Sequence, residues 1–206
     1  MNKIAVFASG SGSNFQAIAD AVKSGSIQAE IVLLVSDKPE SLAVGRARQE
    51  GIPVFAFDPK NYDNKREFET EILTELRNRG AELLVLAGYM RLIGEVLLSG
   101  YGGNIINLHP SLLPSFPGKD AIGQAVAAGV KVTGVTIHYV DEGMDTGPII
   151  AQEALPVLKE DNAQSLAARI HDIEHKLYPA VISELLEKKY RGDVHGNSTG
   201  INKRFG

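Results

Sequence analysis

The chemistry this chain can offer is concentrated in Asn107-Leu108-His109-Pro110-Ser111-Leu112-Leu113-Pro114, where a carboxamide, an imidazole and two ring-locked prolines stand at the end of an apolar run. Asn104-Ile105-Ile106 reads as a strand entering a core, while Pro110 and Pro114 fix φ and bias the residue before each away from helix. If the strand continues through Asn107 and His109, side chains two positions apart face the same side. An amide donor and a titratable imidazole then converge on one spot, as stabilising a developing oxyanion and moving a proton require.

Farther along, His138 lies in a strand-like stretch and Asp145 in the Gly- and Asp-rich segment 141–148. If the strand at 105–108 is central and 132–140 pairs beside it, that segment emerges near the carboxyl ends of the central strands, where open α/β sheets bind ligands. Asp145 would favour the charged form of His109. Asn107, His109 and Asp145 would then make a trio that handles protons and stabilises an oxyanion. No nucleophile accompanies it: there is no cysteine and no G-x-S-x-G elbow, and Ser111 stands between prolines. Direct attack by a substrate amine on a bound acyl donor fits these residues better than an acyl-enzyme. Plainer roles stay open, with His138 as a structural histidine and Asp145 as a turn cap. His109, His138 and Asp145 are also metal-ligand types, but without H-x-x-x-H spacing or a clustered carboxylate pair no metal is expected.

A second chemical signal is Gly10-Ser11-Gly12-Ser13-Asn14, which follows strand-like residues 4–8 and precedes a helix with Ser13 and Gln16 spaced as a capping box. A small, Gly-rich turn at a helix start suits an anion, because the backbone approaches closely and unpaired amides point outward. Gly10-x-Gly12 also begins a dinucleotide fingerprint, with Asp37 after the next strand, but Phe15 stands where its third glycine belongs. No G-K-[ST] follows, which removes the P-loop. A βα turn without a ligand remains the plain alternative.

The elements that must position these groups follow from periodicity. Residues 4–8, 31–35, 54–57, 83–87 and 105–108 are apolar, β-branched runs separated by segments of helical spacing. After the octapeptide, residues 131–140 and 149–156 read as strands joined by 141–148. The predicted fold is α/β, an open, mostly parallel twisted sheet with helices on both faces and an antiparallel later edge. A long helix is expected from Asp161, where Asp161 and Gln164 match a capping box and Leu166, Ile170, Ile173 and Leu177 form one stripe. Pro179 should kink or split it. Residues 1–190 are read as one domain and 191–206 as a peripheral tail.

Composition bounds the rest. The 206 residues, 44% hydrophobic and 22% charged, suit one sizeable core. Zero cysteines exclude disulfides and thiolate-ligated metals. No basic segment leads into an apolar run, and no apolar stretch approaches the roughly 18 residues of a membrane span, so a soluble, cytoplasmic protein is expected. Asn197-Ser198-Thr199 fits a glycosylation sequon that carries little meaning without a secretory signal. A formal charge of −4 argues against broad nucleic-acid binding but not against one phosphorylated small molecule.

The glycine–serine loop, the run Ala87-Gly88-Tyr89-Met90-Arg91, the octapeptide with Phe116-Pro117-Gly118, and His138 through Pro148 occur in an order that resembles the folate-dependent formyltransferases. The resemblance spans roughly residues 1–190. It implies a Rossmann-like formyltransferase domain that moves the formyl group of 10-formyltetrahydrofolate to the amine of glycinamide ribonucleotide. It assigns catalysis to Asn107, His109 and Asp145, and the substrate phosphate to Gly12, Ser13 and Asn14. Glu174 would grip the ribonucleotide with His171 near its phosphate or ribose, and Met90, Arg91 and Leu92 would form the folate side. Lys65 and Arg66 would assist the phosphate or simply be solvated. No metal is implied, a homodimer is left open, and the family's geometry suggests a cis Leu113-Pro114 bond. Relatives acting on methionyl-tRNA carry an added nucleic-acid-binding domain, and formyltetrahydrofolate hydrolases an N-terminal regulatory domain; neither is expected here. A nucleotide-binding module without chemistry would have no use for the trio.

Overall fold

Continuous apolar runs with no polar alternation need cover on both faces of a sheet, and the chain supplies it. The computed structural model describes residues 1–195, with side-chain surroundings through residue 188. In chain order the elements are β1 (Asn2–Phe7), α1 (Ser13–Lys23), β2 (Ala29–Ser36), α2 (Leu42–Gln49), β3 (Val54–Ala56), α3 (Lys65–Arg79), β4 (Leu83–Leu86), α4 (Glu95–Tyr101) and β5 (Ile105–His109). α5 (Ala121–Ala128), β6 (Val132–Tyr139), β7 (Ile149–Pro156) and α6 (Ala163–His195) follow. The seven strands form one sheet in the order β3-β2-β1-β4-β5-β6-β7. β1 to β5 pair in parallel, while β6 and β7 are antiparallel. The predicted strands and the antiparallel later edge are thus both present. Chain order reverses between β1 and β4, which opens a crevice at their carboxyl ends.

Alternate residues of β1 feed opposite cores. Ile4 and Val6 pack with Phe15 and Ile18 of α1, Val44 of α2 and Leu166, Ile170 and Tyr178 of α6. Ala5 and Phe7 pack with Phe68, Ile72 and Leu76 of α3 and Leu97 of α4. Each fully buried large side chain contributes about 1.5–3 kcal/mol, so the sheet is clamped from both sides.

Two expected helix caps are corrected. The helix predicted from a Ser13–Gln16 box is capped instead by Gly12, left-handed at φ 72, with no side-chain cap, and Gln16 turns its amide to Asp20 and Glu50. The final helix is capped by Asn162, whose Oδ1 accepts from the Gln164 and Ser165 amides, while Asp161 ties Leu158 N–H and Arg169. Pro179 lies inside α6 without splitting it; Tyr178, Val181 and Ile182 around it are buried, so packing holds the turn that lacks a hydrogen bond. Of the residues read as a peripheral tail, 191–195 continue α6, and 196–206 lie outside the described residues.

Tyr178 joins α6 to the sheet. It is fully buried and its hydroxyl faces Leu86 O at 3.0 Å and Ile106 O at 3.2 Å, on adjacent strands. Tyr178→Phe, which keeps the ring, is expected to lower unfolding free energy by about 1–2 kcal/mol through the unanswered carbonyls, measured as a shifted urea midpoint at unchanged m-value.

Candidate active site

Antiparallel pairing sets Asn107 directly opposite His138 and His109 opposite Thr136. Directly opposite residues share a sheet face, so the strand pair carries a carboxamide and two imidazoles toward one place. β6 ends level with Ile106, and Val140 N–H bonds to Ile105 O. Segment 141–148 therefore leaves from beside the amino half of β5, not beyond its carboxyl end as expected, and doubles back. Asp141 accepts from Gly143 N–H and Thr146 Oγ1, and Tyr139 N–H bonds to Pro148 O, closing the loop. Asp145 stands in it with a left-handed φ of 56.

This brings the trio together. Asp145 Oδ2 lies 3.4 Å from His109 Nδ1 and accepts Gly118 N–H at 2.7 Å. Its Oδ1 lies 3.4 Å from Asn107 Nδ2 and 3.5 Å from His138 Nε2. His109 Nε2 donates to Phe116 O at 2.8 Å and His138 Nδ1 to Tyr139 O at 2.7 Å. A carbonyl only accepts, so each ring holds a proton there and turns its other nitrogen to Asp145. Burial pushes the Asp145 carboxyl up, but the hydrogen bond with His138, the Gly118 amide and the charges of His109 and His138 outweigh it and hold the group below its usual value. The group is therefore held as the carboxylate.

The loop that supplies Phe116 O and Gly118 N–H is itself pinned. Thr136 Oγ1 donates to Ser111 O at 2.7 Å and accepts Leu113 N–H at 3.0 Å, and Gln152 Nε2 reaches Leu113 O at 2.9 Å. The Leu113-Pro114 bond is cis. Phe116 is left-handed at φ 55, a conformation that costs an aromatic residue about 1–2 kcal/mol. The buried hub on Thr136 holds that strain in place and aims the carbonyl at His109.

The trio opens into a cavity of about 540 Å³. Met90 and Leu92, 69% and 46% exposed, line one wall with Arg91. Arg91 turns its guanidinium back to Asp37, 3.1 Å away, and over the Phe68 ring. At the other end α6 sets Glu174, 2% exposed, beside α1: Asn14 Nδ2 donates to Glu174 Oε2 at 2.9 Å, and His171 Nδ1 stands 2.7 Å from the same oxygen. Asn14 Oδ1 is buried with no partner among the described residues. Of Gly12, Ser13 and Asn14, Asn14 lines the cavity; Gly12 and Ser13 form the turn behind it. A Cβ on Gly12 would meet Ala43 Cα at 2.7 Å, and Arg46 Nε donates to Ser11 O, so α2 braces this loop.

The dinucleotide alternative loses its ribose partner, since Asp37 is engaged by Ser9 and Arg91. Lys65 pairs with Glu69 and Arg66 is exposed, with neither on the cavity lining. His138, read as structural, joins the site because of its register opposite Asn107; its parity with Thr136 on an alternating strand was the available signal. Phe116 and Gly118 were marked only as part of a motif and Asp37 only as a ribose partner, while Ser9 had no local signal. Among the described residues no group of His, Asp and Glu is arranged to hold a metal ion, and no helix is long and apolar enough to cross a membrane.

His171 carries a pH test. The hydrogen bond to Glu174 raises its pKa above 6.5 against the opposing effect of burial. A raised folded value means the pair stabilises fully below 6.5 and is lost as pH rises through the higher value; the ring is 48% exposed, so the effect is small. The urea midpoint of His171→Ala should trail the wild type more at about pH 6 than at about pH 9, and an equal gap would refute the linkage.

A model of the family described as formyl transferase matches residues 2–182. A phosphoribosylglycinamide formyltransferase of Bacillus subtilis (strain 168) is 57% identical over 193 residues, covering 94% of this chain and 99% of that protein. The crystal structure of phosphoribosylglycinamide formyltransferase from Bacillus halodurans is similar at TM-score 0.89 and 53% identity, over 91% of this chain and 97% of that one. Glycinamide ribonucleotide transformylase 1 from Geobacillus kaustophilus is similar at TM-score 0.88 and 58% identity, over 90% and 99%. With the match running from β1 into α6 and through every residue around Asp145, the chain belongs to the formyl transferase family.

Proposed function

We propose that this enzyme transfers the formyl group of 10-formyltetrahydrofolate to the amino group of glycinamide ribonucleotide, a step of purine biosynthesis, by direct amine attack. The observation that carries the reading is Asp145, an ionised carboxylate between Asn107 and His109 in a cavity that has an apolar wall at one end and a helix start at the other. The amine nitrogen attacks the formyl carbon, and the carbonyl electrons move onto oxygen. Asn107 donates to that oxyanion through Nδ2, and His109 through Nδ1 in its doubly protonated form, its Nε2 proton staying on Phe116 O. Their contacts with Asp145, at 3.4 Å, lie at the weak end of hydrogen bonding and are readily exchanged for a substrate atom. Asp145 takes the proton the amine loses. Collapse restores the carbonyl, breaks the bond to the folate nitrogen, and a returned proton completes the leaving amine.

The binding assignments have local support. The amides at the start of α1 have no intrahelical acceptors, and its first turn carries no acid, which suits a phosphate at Gly12, Ser13 and Asn14. Buried Glu174, with His171 beside it, suits ribose hydroxyls. Met90, Arg91 and Leu92 suit the flat folate ring. On this reading residues 1–190 act as one formyltransferase domain in the cytoplasm.

Deformylation of 10-formyltetrahydrofolate should require glycinamide ribonucleotide and fall by about a hundredfold or more in Asp145→Asn and His109→Ala. Equal turnover without the ribonucleotide would mean that water is the acceptor. No turnover in either mixture would refute the folate assignment.

A further inference from the structure

Residues 88–92 connect β4 to α4 and belong to no strand or helix. An irregular segment takes its position from whatever satisfies its backbone. Here that is the end of β1 and the residues after it: Phe7 O accepts Ala87 N–H at 2.8 Å, Ser9 N–H donates to Gly88 O at 3.0 Å, and Ser9 Oγ accepts Met90 N–H at 2.9 Å. A hydroxyl has one hydrogen. Ser9 gives it to Asp37 Oδ1, so a lone pair is left facing Met90. Asp37 Oδ2 accepts Arg91 Nε at 3.1 Å, and the guanidinium carbon sits 5.7 Å from the Phe68 ring centroid. Ser9 is 1% and Asp37 9% exposed, so water does not substitute for these contacts. Asp37 thus holds two consecutive residues of the cavity wall, Met90 through Ser9 and Arg91 directly.

We propose that Ser9 and Asp37 are positioning residues for the formyl donor, fixing the backbone of Met90 and the direction of Arg91 so that the wall presents one surface to the folate ring. The inference rests on the folate reading above. Their loss loosens the donor subsite while Asp145, Asn107 and His109, held by β5, β6 and the 111–118 loop, keep their mutual geometry.

The test measures kcat, the KM of each substrate and calorimetric binding of tetrahydrofolate for wild type, Ser9→Ala, Asp37→Ala and Asp37→Asn, with thermal melts to show folding. Ser9→Ala and Asp37→Ala should raise the donor KM and the tetrahydrofolate Kd about tenfold, more than they change kcat or the ribonucleotide KM. Asp37→Asn keeps an acceptor for Ser9 but loses the ion pair with Arg91, and should fall between. Folded variants whose donor KM stays within about twofold of wild type, or which shift all parameters equally, would overturn the proposal. If the alanine variants do not fold, Asp37→Asn decides by the same criterion. A wild type that neither binds tetrahydrofolate nor turns over would instead remove the folate reading itself.

Discussion

A carboxylate drawn out of water has to be answered on every side, and the way Asp145 is answered organises this half of the molecule. Its partners come from β5, from β6 and from the loop ahead of α5, and it is itself delivered by the β6–β7 connection. A shift in any of these segments changes what surrounds the carboxylate. The constraint also explains why unfavourable backbone is tolerated at Asp145 and Phe116. Left-handed φ at one brings the carboxylate over the strand pair, and at the other turns a carbonyl to His109. Local strain persists because the surrounding bonds over-determine it.

The opposite end of the cavity is stabilised by different physics. α6 lies against the same sheet face as α1, and Tyr178, one turn beyond Glu174, keys it to two strands at once. The carboxylate of Glu174 is thereby registered to the strand that carries Asn107, although the two residues are far apart in the chain. One end is set by charge pairing across loops, the other by a buried hydroxyl locking a helix to a sheet.

How legible all this was in the amino-acid sequence depended on the range of the causes. Strands buried on both faces are continuous apolar runs, so their existence and parallel pairing could be read directly. Asn107 and His109 were readable as a pair because two-residue spacing on a strand needs no tertiary knowledge. His138 was not, because its role comes from which residue it faces across β5. The turn at Gly12 was misread because Ser13 and Gln16 are equally good capping chemistry, while the deciding contact is with Ala43 on another helix. Asp161 and Asn162 are neighbours with the same capping ability, and only the approach angle of the chain selects the second. Asp37 looked like a ribose partner by position; its actual partners arrive from two later connections.

The close approach of Gly12 to Ala43 has a meaning for how this fold can vary. With less than a van der Waals separation available for any atom added at position 12, and α2 bonded to the loop at Gly10 and Ser11, the shape of the turn before α1 is a property of two helices jointly. Drift at either position is permitted only in company with the other, so divergence in this loop should appear as correlated change with α2. A redesign of the anion it accepts would have to begin by moving that helix.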